Sequence, residues 1–182
     1  GTATYGAVLR EPGVVECTGV GEVSLGPHDD SGESEVAERV GGAFRAAGIG
    51  VEVVAEMRSR LWEKLAVNAG INPVTALARV ENGAIRDGPA REVAERATTE
   101  AATVAREHGV ALSADDARAA LHGVAETTVH NVSSMRADVE AGRRTEIDAI
   151  NGYVVERADR SVPTNAALCA LVRGWEADRG LR

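Results

Sequence analysis

The 182 residues are 44% hydrophobic but only 3% aromatic, so a core must be built from Ala, Val, Leu and Ile, which suits close-packed helices. A net charge of −8 with a pI near 5.1 argues against nucleic acid or an anionic membrane as partner, and an acidic surface poor in lysine resembles the solvation style of salt-adapted proteins. Cys17 and Cys169 share no motif spacing, no apolar run reaches membrane length, and no basic-then-apolar segment opens the chain; a reduced, cytoplasmic protein is the expectation.

In chain order, residues 1–30 read as strand and turn. Turn signals fall at Pro12-Gly13 and Gly19 to Gly21, with β-branched Val14, Val15, Val20 and Val23 around them. The glycines at 19, 21 and 26 miss the dinucleotide fingerprint, because its third glycine belongs three residues after the second, at the mouth of a helix. His28, Asp29 and Asp30 are followed by an expected Ser/Gly/Glu turn. A helix over Glu35 to Ala47 follows, with Val36, Val40 and Phe44 on its inner face. GVEVVAEM alternates as a short strand. Residues 1–56 thus read as β-β-α-β, without a complete βαβ nucleotide unit.

From residue 57 the texture is helical. Arg58 to Gly70 forms one helix, with Leu61, Leu65 and Ala69 as its apolar stripe. Pro73 is expected at the first position of a second, short helix capped by Asn72. A long helix spans Pro89 to His108, with Val93, Ala94, Ala97, Ala101, Val104 and Ala105 inward and Gly109 ending it. Ser113 caps a helix through Val129. Another starts near Ser133 and ends at Gly142. Thr145 caps a helix carrying Ile147, Ile150 and Val154 on one face. Pro163-Thr164-Asn165 opens the last, which packs Leu168, Leu171, Val172 and Trp175. Short loops imply a bundle of about six or seven helices.

Three constellations carry possible chemistry. Lys64 is the only lysine, and with Asn68 and Asn72 it steps by four residues, so the three form one row on a helix face; Asn82 follows close behind. Uncharged amides beside an amine suit ligand reading, and a desolvated lysine can give up a proton where an arginine cannot. Another reading makes the asparagines helix caps and the lysine a surface charge. The second constellation, Asn131-Val-Ser-Ser134, places hydroxyls and free N–H groups at a helix N-terminus, a setting for a carboxylate or phosphate or for an ordinary cap. The third is Thr145-Glu146-Ile-Asp148 with Asn151-Gly152, where acids in a first helical turn are stabilising in any case. His28, His108, His122 and His130 share no metal-ligand spacing and read as surface or satisfied core histidines. No metal site is expected.

LWEKLAVNAGINPVTALARVENG, then NVSSMRADVEAGRRTEIDAING, then the VPTN before the last helix resemble, in order, the C-terminal domain of ketopantoate reductase, also called 2-dehydropantoate 2-reductase. The opening GTATYGA resembles the segment that re-enters the family's nucleotide domain before its closing strands. The resemblance implies a mainly α protein: an α/β remnant of a Rossmann-type NADP-binding domain over residues 1–56, then a helical bundle over 57–182 similar to the 6-phosphogluconate dehydrogenase C-terminal domain. It implies NADPH-dependent reduction of ketopantoate to pantoate, on the way to pantothenate and coenzyme A.

Residue by residue, Lys64 matches the family's proton donor, and Asn68, Asn72 and Asn82 match its substrate-contacting amides. Asn131 and Ser134 match its NxSS. Glu146 matches an acid touching cofactor and site, and Ala7 a backbone position beside the cofactor. The family's glycine fingerprint is absent from these residues, so the resemblance implies a general acid and substrate shell without the main NADPH site, inactive alone. A reductase of another small 2-keto acid, or a non-catalytic helical module forming a homodimer, are the alternatives.

Overall fold

A computed structural model describes residues 1–27 and 34–182. His28, Asp29 and Asp30, with Ser31, Gly32 and Glu33 of the turn expected after them, lie outside the described residues. The protein is mainly helical, with few and short strands, as the composition predicts, and divides into two compact units, Gly1–Leu61 and Trp62–Arg182.

In the first unit, β1 (Thr2–Ala3) runs antiparallel to β4 (Val23–Leu25), which runs parallel to β5 (Val51–Val53), giving a sheet of order β1-β4-β5. Separately, β2 (Gly6–Glu11) and β3 (Val14–Gly19) form a hairpin whose turn needs Gly13, at φ +87°. Helix α1 (Glu35–Ala46) lies between β4 and β5 in the chain, so β4, α1 and β5 make one parallel βαβ crossover that the strand patterns alone did not reveal. Among the described residues there are five strands where two before α1 and one after it were expected.

The inner face of α1 also differs from expectation. Val36 and Val40 are exposed and Phe44 is half-buried, whereas Gly41 is buried, because it is the point of close approach to β5: a Cβ there would lie 3.0 Å from Val53 Cγ2. The glycines at 21 and 26 serve packing too. Added Cβ atoms would fall 2.4 Å from the Thr4 carbonyl carbon and 2.5 Å from the Val54 carbonyl oxygen.

The helical elements begin with α2 (Met57–Ala78), which starts in the first unit and supplies the central helix of the second. Trp62, Ala66, Val67, Ala69, Ile71, Val74 and Ala76 are all buried, so within the second unit the helix is covered on most sides rather than along one stripe. One core cluster joins Trp62, Ala66 and Ala69 to Ala101, Val104, Ile147, Val154 and Val172; another joins Val67, Ile71 and Val74 to Ile85, Leu121 and Leu168. Leu61 is exposed, and with it one end of the expected stripe.

Proline does not break this helix. The expected division at Asn72-Pro73 is wrong: α2 runs through Pro73 without interruption, and Asn72 is an interior residue, not a cap. A helical Pro73 leaves the Ala69 carbonyl without its usual donor, and that carbonyl accepts instead from Asn151 Nδ2 at 3.0 Å. The end of α2 is a Schellman turn in which Arg79 takes the left-handed position, φ +56°, and Val80 N–H reaches back to the Thr75 carbonyl at 3.1 Å.

Then follow α3 (Ala84–Asp87), α4 (Ala90–Glu107), α5 (Ala114–Thr127), α6 (Ser134–Glu140), a π-helical turn (Asp148–Gly152) running into α7 (Tyr153–Arg157), and α8 (Pro163–Asp178). Ser113 and Ser133 cap α5 and α6, their hydroxyls accepting from Asp116 and Arg136 N–H. Val93 and Leu171, expected inward, are exposed. No helix among the described residues is long and apolar enough to cross a membrane.

Candidate functional site

The row on α2 descends from surface to interior: Lys64 is exposed, Asn68 half-buried and Asn72 buried. An amide that deep must be partnered. Asn72 Nδ2 lies 3.5 Å from Ser134 Oγ, so the deep end of the row meets the start of α6. One turn on, Thr75 donates to the Ile71 carbonyl at 2.8 Å and sits 2.7 Å from the Ser133 hydroxyl, which fixes α6 against α2.

Asn82 is tied to the same neighbourhood through the backbone. Its N–H donates to the Asn131 carbonyl and its Nδ2 to Thr128 Oγ1, both at 3.0 Å, and Gly83 N–H donates to the Val129 carbonyl at 3.0 Å. Gly83 is required there, since a Cβ would fall 2.8 Å from both the Val129 carbonyl oxygen and its Cγ1. The Asn82 Oδ1 is buried without a hydrogen-bond partner in the structure. A buried, unpaired acceptor is costly in a finished core and natural in a site that meets a hydroxyl. Asn131 and Ser134 are exposed, and so available to a ligand.

Glu146 is exposed on a turn that is held from behind. Thr145, just before it, is buried and gives both its N–H (2.8 Å) and its hydroxyl (2.7 Å) to Glu176 Oε1. Glu176 is a fully buried carboxylate on α8 that also accepts from Arg182 Nε at 2.8 Å. Burial pushes its carboxyl up, but the Thr145 hydroxyl, the Thr145 N–H and the Arg182 guanidinium outweigh burial and hold it below the ordinary glutamate range. Asp148, ringed by Arg173, Arg144 and Arg182, is likewise held low against the upward push of burial.

The second unit therefore joins Asn72 to Ser134 and Asn82 to Asn131, with Lys64 and Asn68 on the same helix face as Asn72. Ala7 is an exposed residue of β2 in the first unit, paired with Cys17. Glu176 and the bond from Asn151 to α2 escaped sequence reasoning. A signal existed for Glu176, which continues the buried series Leu168, Val172 at intervals of four, an odd place for an acid unless it is partnered. Among the described residues no group of three or more His, Cys, Asp or Glu stands ready for a metal.

Comparison with known proteins shows the family of the chain. The family model described as "Ketopantoate reductase PanE/ApbA C terminal" matches residues 56–176. A 2-dehydropantoate 2-reductase of Halobacterium salinarum is 44% identical over 182 residues, covering 98% of this chain and 59% of that protein. One of Archaeoglobus fulgidus is 39% identical, covering 97% and 60%. The crystal structure of a PanE/ApbA family ketopantoate reductase from Ralstonia eutropha superposes with a TM-score of 0.85 at 32% identity, over 98% of this chain and 59% of that one. A ternary structure of D-mandelate dehydrogenase shares the fold, with a TM-score of 0.91 at 23% identity over 100% and 60%. The chain thus spans about three-fifths of the length of the curated relatives it matches.

Proposed function

We propose, because this chain belongs to the ketopantoate reductase family, that its helical unit binds 2-dehydropantoate and supplies the proton when the ketone is reduced to pantoate, a precursor of pantothenate and coenzyme A. The reading is carried by one observation: Asn72 on α2 and Ser134 at the head of α6, 62 residues apart, meet at 3.5 Å beneath Lys64 and Asn68.

The parts then divide the work. Ser134 and Asn131, beside the free N–H groups at the start of α6, take the substrate carboxylate. Asn72, Asn68 and the unpaired Asn82 Oδ1 read hydroxyl and carbonyl groups, and a hydroxyl donating to Asn82 Oδ1 removes its desolvation penalty. As the carbonyl carbon accepts a hydride, the C=O π pair moves onto oxygen, and the Lys64 ammonium first polarises that oxygen and then gives it a proton. Glu146, held in place through Thr145 and Glu176, keeps the amine charged and oriented.

The hydride comes from NADPH when that nucleotide is bound. The described residues do not fit its pyrophosphate: the glycines at 21 and 26 are filled by Thr4, Val54 and Met57, and neither opens a helix. On this reading Glu146, exposed in the helical unit, would meet the nucleotide's edge at most.

The test joins this chain to the part of the Halobacterium salinarum relative that the chain does not cover and follows NADPH absorbance with 2-dehydropantoate. Turnover is expected in the parent, with a loss on the order of 10²–10⁴-fold in Lys64→Ala, the usual worth of a positioned general acid. Lys64→Arg is expected to stay inactive, since a guanidinium keeps the charge but not the transferable proton. Near-normal turnover in Lys64→Arg would remove the proton-donor role.

A further inference from the structure

Pro73 stands in the middle of the helix that carries the Lys64, Asn68 and Asn72 row, and its missing N–H leaves the Ala69 carbonyl without the bond that defines an α-helix at that turn. Ala69 is fully buried, so water does not serve as substitute. The donor comes from another element. Asn151, also fully buried, gives Nδ2 to the Ala69 carbonyl and to Asn165 Oδ1, both at 3.0 Å.

The chain of bonds continues. Asn165 gives its own Nδ2 to the Ala97 carbonyl at 3.0 Å and to Glu100 Oε2 at 2.8 Å. The Glu100 carboxylate also receives the N–H groups of Thr164 (3.0 Å) and Asn165 (2.9 Å), at the head of α8. Four elements, α2, α4, α8 and the π-helical turn, are thus pinned at one buried polar junction. The Asn151 Oδ1 atom is left buried without a partner. Rotating the amide would set that oxygen against the Ala69 carbonyl and Asn165 Oδ1, two further acceptors, so the residue is held there for its donors. The π turn, closed by Gly152 N–H on the Ile147 carbonyl at 2.9 Å, adds the extra residue that aims Asn151 at α2.

We propose that Asn151 is a positioning residue: it replaces the helix bond that Pro73 cannot make, and so keeps Lys64 and Asn68, before the defect, in line with Asn72, beside it. The role in catalysis rests on the reductase reading of that row; the role in α2 does not. Asn151 touches neither substrate nor reacting atoms. A small loss of alignment between a proton donor and the amides that seat the substrate is enough to slow turnover severely.

The proposal makes the need for Asn151 conditional on Pro73, which a double-mutant cycle reads. In the 182-residue chain, Asn151→Ala is expected to speed amide exchange across residues 65–78 by roughly tenfold or more, through local opening at the unbonded turn. In the Pro73→Ala background, where residue 73 regains an N–H for Ala69, most of that increase should vanish. Equal acceleration in both backgrounds would overturn the proposal. In the joined reductase, Asn151→Ala is expected to lower kcat by about 10²-fold with a smaller change in KM, and adding Pro73→Ala is expected to restore most of it. Loss of folding alone would not be rescued in that manner. If Asn151→Ala does not fold with Pro73 present, the double variant decides: its folding supports the proposal, and failure of both overturns it. A joined parent with no turnover would refute the reductase reading while leaving the exchange cycle to judge Asn151.

Discussion

Glu176 is the residue whose chemistry is most sharply set by its surroundings. A carboxylate with no exposed surface survives in α8 because Thr145 and Arg182 supply three donors to it. Its folded pKa lies below the ordinary glutamate value, so its contribution to stability is fully present above that value and is lost as pH falls through the folded pKa. Asp148, depressed in the same direction, adds to the same acid limb. Glu176→Gln keeps an acceptor for Thr145 but removes the charge. We expect it to cost about 1.5–3 kcal/mol near neutral pH, the range for hydrogen bonds to charged groups. We also expect the penalty to shrink on acidification below the glutamate range, as read by urea unfolding at a series of pH values. A penalty independent of pH would show that Glu176 is not ionised in the folded chain.

Among the elements, α2 carries the most constraints in the fewest residues. At Gly70 it lies close against α4 and α5: a Cβ on Gly70 would fall 2.4 Å from Thr98 Oγ1 and 2.8 Å from the Ala94 carbonyl oxygen, both on α4, and 3.2 Å from Leu121 Cδ1 on α5. Thr98 uses that proximity to donate to the Ala66 carbonyl at 3.1 Å. Backbone cannot yield as a flexible side-chain tip does, so the gain in helix propensity from alanine, about 1 kcal/mol, is outweighed. Gly70→Ala is expected to destabilise the chain by about 1–3 kcal/mol net of that gain, measured by thermal or denaturant unfolding. A neutral or stabilising result would mean that α4 moves freely off α2, and the placement of Asn72 against Ser134 would lose its rigid backing.

At the scale of the whole molecule, the residues proposed to meet substrate lie in the helical unit, and among the described residues Gly21 and Gly26 are packed against Thr4, Val54 and Met57 rather than open to a dinucleotide. The 182 residues alone are therefore expected to show no NADPH-dependent turnover of 2-dehydropantoate, as followed by nucleotide absorbance, whereas the joined protein turns over. Turnover by the isolated chain would place a nucleotide grip within it and overturn that division of labour.

Sequence by itself determined the helical character and most helix ends, and it proposed the members of the candidate site. Those follow from local rules: the four-residue step from Lys64 to Asn72, Ser113 as a cap, Gly109 and Gly142 at positive φ. It also put Asn131 and Ser134 with the α2 row by resemblance, whereas the meeting of Asn72 with Ser134 is a tertiary fact. Tertiary structure alone decided what becomes of Pro73. Locally a proline after an asparagine reads as a new helix start, and only a donor from 82 residues away lets α2 continue through it. The same holds for the inner face of α1, where the close approach of β5 at Gly41 overrides an apolar stripe, and for Glu176, whose partners lie on a distant turn. A backbone group or a charge can be satisfied at any sequence separation, and no local pattern says where its partner will come from.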